Sequence, residues 1–339
     1  MSRHPLNILI GLTLIAALAA CDAHATGSPR STPASATTPA EGSAIASTTN
    51  PPASGAAAAS ATLAAPSAVV PASKGEILFC SNRDRAAHTD GIFVMHADGS
   101  NVRPLSITPG AEDWMPTLSP DGTRIAFGSN RLGDLMAIYL MNPDGSGQTR
   151  ITDNQFSSYR PSWSPDGKRI VYAGFETGEL FLMNADRSGQ ARLTSGRSGH
   201  PSWAPSGQAI AFQTEATGTG SISEIALINA DGSGRTDLTK DARVNEFPSW
   251  SPDGKRIAFD SKRGDNTDIW VIDVEGKQEQ RLTTDAAIDE WPAWSPDGRM
   301  IAFARHESAD KSEIYVMNAN GSGQTRVSTG PMDFCPSWH

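Results

Sequence analysis

Acidic and basic side chains recur at matching places along this chain, and they are the residues with the means to do chemistry. Glu112 and Asp113, Glu246, Asp289 and Glu290, and Asp333 each stand just ahead of a similar proline-containing triplet. Tyr159, Arg160 and His200 occupy comparable places. Arg83, Arg131 and Arg263 follow a second kind of segment, with Asn82 and Asn130 beside the first two. A ring of carboxylates with arginines around it suits a basic partner surface or a cation. His200 with Glu246 and Asp289 is the set that a metal-dependent hydrolase or lyase would use. The other histidines are dispersed, and His24, His88, His96 and His306 share no ligand spacing, so no metal or cofactor is expected.

The elements that must carry these residues are repeated. Ser-Pro-Asp-Gly begins at Ser119, Ser164, Ser251 and Ser295, with Ala204-Pro-Ser-Gly207 between, at spacings of 45, 40, 47 and 44 residues. A triplet precedes each turn: Pro116-Thr-Leu118, Pro161-Ser-Trp163, Pro201-Ser-Trp203, Pro248-Ser-Trp250 and Pro292-Ala-Trp294, with Pro336-Ser-Trp338 near the end. Short apolar strands follow, such as Ile125-Ala-Phe127 and Ile257-Ala-Phe259, then a second set such as Ile138-Tyr-Leu-Met141. Asp144-Gly-Ser-Gly147 and its counterparts make the next turn, and a last strand ends in Arg-Leu-Thr. Four short strands per unit with turn chemistry between them make a propeller blade. Proline presets φ, aspartate suits the next place, and glycine accepts a positive φ. The Asp-Gly-Ser-Gly turns lack the acidic positions of a calcium loop. The repeated tryptophans are expected to pack between sheets.

The expected fold is all-β: a six-bladed propeller of four-stranded blades over residues 74–339. Glu76-Ile-Leu-Phe79 matches the second strand of later units, so the first blade lacks its first strand at the start of the region. Phe334-Cys-Pro-Ser-Trp-His339 supplies it from the C-terminus and closes the ring, which removes exposed sheet edges. Cys335 then falls at the repeat position of Met115 and Cys80 at that of Gly128, nearly opposite one another on a hairpin. An oxidising compartment would join them. The loops entering the first strands and leaving the second strands share one face around the channel. That face carries the candidate residues. The arginines there could instead pair with carboxylates of the next blade.

The N-terminal residues predict a different kind of chemistry. Arg3 and His4 precede an apolar run, Ile8 to Ala20, of a length suited to a signal peptide and short of a membrane span. Leu18-Ala19-Ala20-Cys21 resembles the bacterial lipobox, which implies lipidation of Cys21 after removal of residues 1–20. Residues 21–73 are mostly Ala, Ser, Thr, Pro and Gly, with Asp22, Arg30 and Glu41 as the charges. Such a composition cannot bury enough apolar surface to offset ordering entropy, and is expected to act as a tether.

The 28 Lys and Arg against 37 Asp and Glu give a net charge of -9, which argues against nucleic acid as a partner. The three cysteines cannot build a disulfide scaffold.

Ser-Pro-Asp-Gly-Lys-Arg-Ile-Ala-Phe at 251–259, Ser129-Asn-Arg131, Asn142-Pro-Asp-Gly-Ser-Gly147 and Arg281-Leu-Thr283 resemble the WD40-like repeats of the TolB propeller family. The resemblance covers residues 74–339. It implies a periplasmic propeller that engages an envelope lipoprotein, although here a tether stands where that family carries an α/β domain. Related propellers also form the non-catalytic half of dipeptidyl-peptidase-like enzymes, but the sequence holds no Gly-x-Ser-x-Gly motif. The expected function is a monomeric, non-catalytic interaction module, lipid-anchored and facing the periplasm. Its channel face would take an envelope protein or a cell-wall component. The alternative is a metal-dependent hydrolase or lyase acting on a glycan at the channel mouth.

Overall fold

The computed structural model describes residues 75–84, 89–133, 135–153, 155–215, 222–275 and 277–339. They belong to one compact unit, Ala68–His339. The expected signal segment 1–20, lipidated Cys21 and tether to residue 73 lie outside the described residues.

The strands sort into six antiparallel sets of four. In blades 2 to 6 the first strands are Asp113–Leu118, Ser158–Trp163, Ser198–Trp203, Val244–Trp250 and Ile288–Trp294, and the other three strands of each blade follow in chain order. Blades 4 and 5 are joined by a single parallel bridge, Ser223 to Val244. Blade 1 is assembled from both ends of the unit. Asp333–Trp338 pairs antiparallel with Glu76–Ser81, which leads on to Gly91–His96 and Arg103–Ser106. Each first strand lies beside the first strand of the next blade, and Asp333–Trp338 lies between those of blades 6 and 2, so the ring is closed. Cys80 and Cys335 are joined by a disulfide within blade 1, with Cα atoms 5.7 Å apart.

The core lies between the blades. On each second strand the two large residues face one neighbour and the small residue faces the other, as a period of two requires. Ile125 and Phe127 pack on Leu78, Ile92 and Val94 of blade 1, while Ala126 packs on Ile170 and Tyr172 of blade 3. The repeated tryptophans fill the same interfaces. Trp163, Trp203, Trp294 and Trp338 are all buried, and Arg124, Arg169 and Arg256 lie over the rings of Trp163, Trp203 and Trp294.

One face of the ring is chemically closed upon itself. In each Ser-Pro-Asp-Gly turn the serine hydroxyl donates to the aspartate at 2.5–2.7 Å. The same serine oxygen accepts the backbone N–H five residues on, at 2.9–3.0 Å. These hydrogen bonds hold Asp121, Asp166, Asp253 and Asp297 below the usual carboxylate range. Asp144 likewise accepts from the Ser146 N–H and hydroxyl, so the carboxylate that a calcium loop would need serves its own turn. The opposite face carries the loops that enter the first strands and leave the second strands.

Candidate functional site at the channel mouth

The residue before the proline in each repeat has a positive φ. Met115, Arg160, His200, Phe247, Trp291 and Cys335 have φ between 47° and 57°. Residues other than glycine rarely adopt this conformation, and here it recurs six times at one repeat position. Each occurrence coincides with a break in register between the first and second strands. The break is a β-bulge, which bends the strand and re-aims a side chain. The proline that follows sits on the innermost strand, where no ladder bond is lost. The six side chains and their prolines line one central cavity of about 190 Å³.

The bulge frees a backbone N–H, and the preceding blade answers it. Met115 N–H donates to Cys80 Sγ at 3.2 Å, and Trp291 N–H donates to Asp260 Oδ2 at 3.1 Å. Cys80 and Asp260 occupy the same place on their second strands.

Blades 3 to 6 surround the polar part of the mouth. The Arg160 guanidinium lies 4.4 Å from the Phe247 ring centroid and 5.5 Å from that of Tyr159, and its Nε has no hydrogen-bond partner. Burial pushes Arg160 down to about 10 against the pull of Glu246, Asp260 and Glu290. His200 stacks on Phe247 at 4.1 Å, and its Nδ1 is unpartnered. Burial, with the charge of Arg160, holds it well below the ordinary imidazole range. Trp291 meets Phe247, His306 and Phe334 at 5.4–5.5 Å. Glu246 accepts from Gln213 Nε2 at 2.7 Å. Burial raises Glu246 to about 7, and it raises Asp260 well above its ordinary value, with Glu290 and Glu246 adding repulsion. Glu290 lies 3.4 Å from His306 Nε2.

The remaining candidates from the sequence divide into two groups. Asp113, Asp289 and Asp333 are fully buried. Asp113 is paired with Arg131 at 2.7 Å and accepts from Ser106 at 2.6 Å. Asp333 is paired with Arg83 at 2.8 Å and Asp289 with Arg305 at 2.7 Å. These arginines therefore serve their own blade and not the next. Each also lies over aromatic rings of that blade, as Arg131 does over Phe127 and Tyr139. In blade 5 Asn245 takes the aspartate's place, and Arg263 turns to Asp241, Glu279 and the Trp270 ring. These are fixtures of the blades and offer little to a ligand. Glu112 is different. It is half-buried beside Asp90, and burial together with that neighbouring charge raises it to about 7.

The metal set suggested by the sequence is not assembled. Asp289 is committed to Arg305, Glu246 to Gln213, and His200 to the Phe247 face. No group of three or more ligating side chains forms among the described residues.

Phe247, Trp291, Gln213, Asp260 and His306 escape a reading that follows acidic loops. One signal could have found the first two. The residue before proline varies across Met115, Arg160, His200, Phe247, Trp291 and Cys335 while its neighbours repeat. A variable place inside a constant motif marks where the scaffold presents its own chemistry. The mouth also exposes apolar groups: Leu132 and Leu135 on the loop after the second strand of blade 2, and Phe175 on that of blade 3. Phe175 packs edge-on against Tyr159 at 6.0 Å.

A family model described as the TolB beta propeller domain matches residues 68–251 and 234–339. Among curated proteins, an uncharacterised protein of Agrobacterium fabrum is 32% identical over 134 residues, covering 38% of this chain and 44% of that one. A protein named TolB homolog from Chlorobaculum tepidum is 30% identical over 122 residues, covering 35% and 27%. The chain spans less than half the length of these curated relatives. Among solved structures, TolB from Acinetobacter baumannii has a TM-score of 0.69 at 24% identity, covering 78% of this chain and 66% of that one. A putative TolB from Agrobacterium tumefaciens has a TM-score of 0.61 at 21% identity, covering 77% and 90%.

Proposed function

We propose, from the premise that this chain belongs to the TolB beta propeller domain family, that it binds a partner protein in the bacterial cell envelope through its channel mouth. The family and its TolB-named relatives support an envelope protein that works by protein interaction. In the finer reading, Cys21 carries lipid, residues 22–73 act as a leash, and the propeller faces the periplasm as a non-catalytic module.

The observation that carries this reading is the contrast between the two faces. On the turn face the aspartates of the Ser-Pro-Asp-Gly and Asp-Gly-Ser-Gly turns are bonded within their own turns. The mouth displays exposed Leu132, Leu135 and Phe175 beside Tyr159 and an Arg160 with an unpartnered Nε. Apolar anchors next to unpaired charge on rigid loops are the makings of a recognition surface.

The test is proximity crosslinking from intact membranes, comparing the native protein with a Phe175→Asp, Leu132→Asp variant. A partner captured by the native chain and lost with the variant is the expected result. Equal capture by both would move the binding face elsewhere. No reproducible partner with either would end the interaction reading.

A further inference from the structure

We propose that the blade 4 to blade 6 side of the channel mouth is a pocket for one organic cation, the ammonium of a lysine side chain presented by the partner. This deepens the function proposed above and rests on it.

The side chains there form a set rich in acceptors and poor in donors. Glu246, Asp260 and Glu290 lie close enough to repel one another. Between them, the hydrogen bonds of Glu246 and Asp260 to the protein include one from Gln213 and one from the Trp291 N–H. Gln213 supplies an independent sign that something is missing. The residue is 6% exposed, its Nε2 is spent on Glu246, and its Oε1 has no partner. A buried amide oxygen without a donor is destabilising, and a ligand N–H would remove that cost. His200 Nδ1 also lacks a hydrogen-bond partner, and a neutral imidazole nitrogen can accept.

The local charge has the same sense. Tyr159 and Arg160 face the cluster from blade 3, Gln213 and His200 from blade 4, Glu246 and Asp260 from blade 5, and Glu290 and His306 from blade 6. Among the described residues, Arg160 is the guanidinium that faces the three carboxylates, and it is drawn over Phe247. Glu246 and Glu290 directly precede Phe247 and Trp291, whose rings line the cavity. The Trp291 ring beside Glu290 favours a cation. The central cavity of about 190 Å³ has room for one side chain. The compact ammonium, with three donors free to rotate, fits dispersed acceptors better than the fixed planar fork of a guanidinium.

Burial keeps part of this carboxylate cluster protonated near neutral pH, so a cation that enters must displace a proton. Binding should therefore strengthen as pH rises. The test uses the full chain in detergent and calorimetry with Nα-acetyl-lysine methylamide. Its neutral Nε-acetylated form and the corresponding arginine compound are the comparisons. The lysine probe should bind at least about tenfold tighter than either, and lose about tenfold in affinity from about pH 8 to about pH 5.5. Glu246→Gln with Glu290→Gln should cost about tenfold or more, and Glu275→Gln on the turn face should cost nothing. Equal binding of the acetylated probe, preference for the arginine probe, or indifference to pH would each overturn the assignment. The pH series needs no substitution, so it decides the matter even if the double variant misfolds. The two proposals fail separately. Partner capture that survives Glu246→Gln with Glu290→Gln would sink the lysine pocket alone. Probe binding without any captured partner would sink the partner reading alone.

Discussion

At the scale of single residues, the mouth places ionisable groups where water cannot fully solvate them, and the consequence can be measured without any partner. Folded Glu246 keeps its proton up to about pH 7, against an ordinary value of 4.5. Between those values the folded state binds more protons than the unfolded one, so stability falls as pH rises. Glu246 therefore stabilises fully below about pH 4.5 and loses that contribution as pH rises through about 7. Glutamine imitates the protonated acid and can keep the contact with Gln213. We expect Glu246→Gln to melt close to the native protein at about pH 5 and roughly 7 °C above it at about pH 8. Parallel melting curves at the two pH values would show that Glu246 is ionised throughout. Little of this was legible in the sequence. Arg160, His200, Glu246 and Glu290 were visible as loop residues, but their juxtaposition depends on the bulge. Nothing local in Glu246-Phe247-Pro248 announces a positive φ at Phe247, because that conformation comes with the bulge in the strand.

At the scale of the blade, acidic and basic residues that look like a binding surface in the sequence turn out to hold strands together. Asp113 is fully buried, and the Arg131 that meets it is sandwiched against Phe127 and Tyr139. Removing one member of such a pair strands the other without a counter-ion, at a cost of about 3–5 kcal/mol. Arg131→Ala should lose stability on that scale in urea unfolding. The repeat itself suggests the repair. Blades 3 and 4 carry Ser158 and Ser198 at the place of Asp113. Asp113→Ser combined with Arg131→Ala should therefore regain most of the loss. A double variant no more stable than Arg131→Ala alone would mean that the aromatic packing of Arg131, and not charge, sets its worth. Strands and turns were readable in advance because their residues answer to local rules. Proline, aspartate and glycine fix the turns, and alternation of large and small residues fixes the faces. The pairing of arginine and aspartate within one blade was not readable. It depends on how far a second strand carries its last residues back towards the start of the first, and spacing alone does not give that distance.

At the scale of the whole molecule, a propeller has one seam, and the placing of Cys80 and Cys335 makes that seam covalent. The first strand of blade 1 comes from the far end of the chain, so its hydrogen bonds to Glu76–Ser81 are all that pairing alone would provide. Cys335 is also one of the six left-handed residues of the channel, and Cys80 Sγ accepts the bulge N–H of Met115 in the next blade. The clasp therefore touches both the seam and the mouth. It closes a loop across a sequence separation of 255, and constraining so long a loop in the unfolded chain is worth on the order of 3–5 kcal/mol. Cys80→Ser with Cys335→Ser should melt roughly 10 °C below the oxidised native protein. Reductant should lower the native melt by a similar amount and leave the double variant unchanged. The loss should begin at the seam, with amides of Asp333–Trp338 exchanging first while the strands of blades 3 and 4 stay protected. Uniform exchange around the ring would mean that the blades unfold together and that the disulfide guards no weak point. The same experiment bears on binding, because a seam that opens takes Phe334 away from Trp291 and loosens the aromatic wall of the cavity. Loss of lysine-probe affinity on reduction, at a temperature where the chain is still folded, would tie closure of the ring to recognition at its mouth.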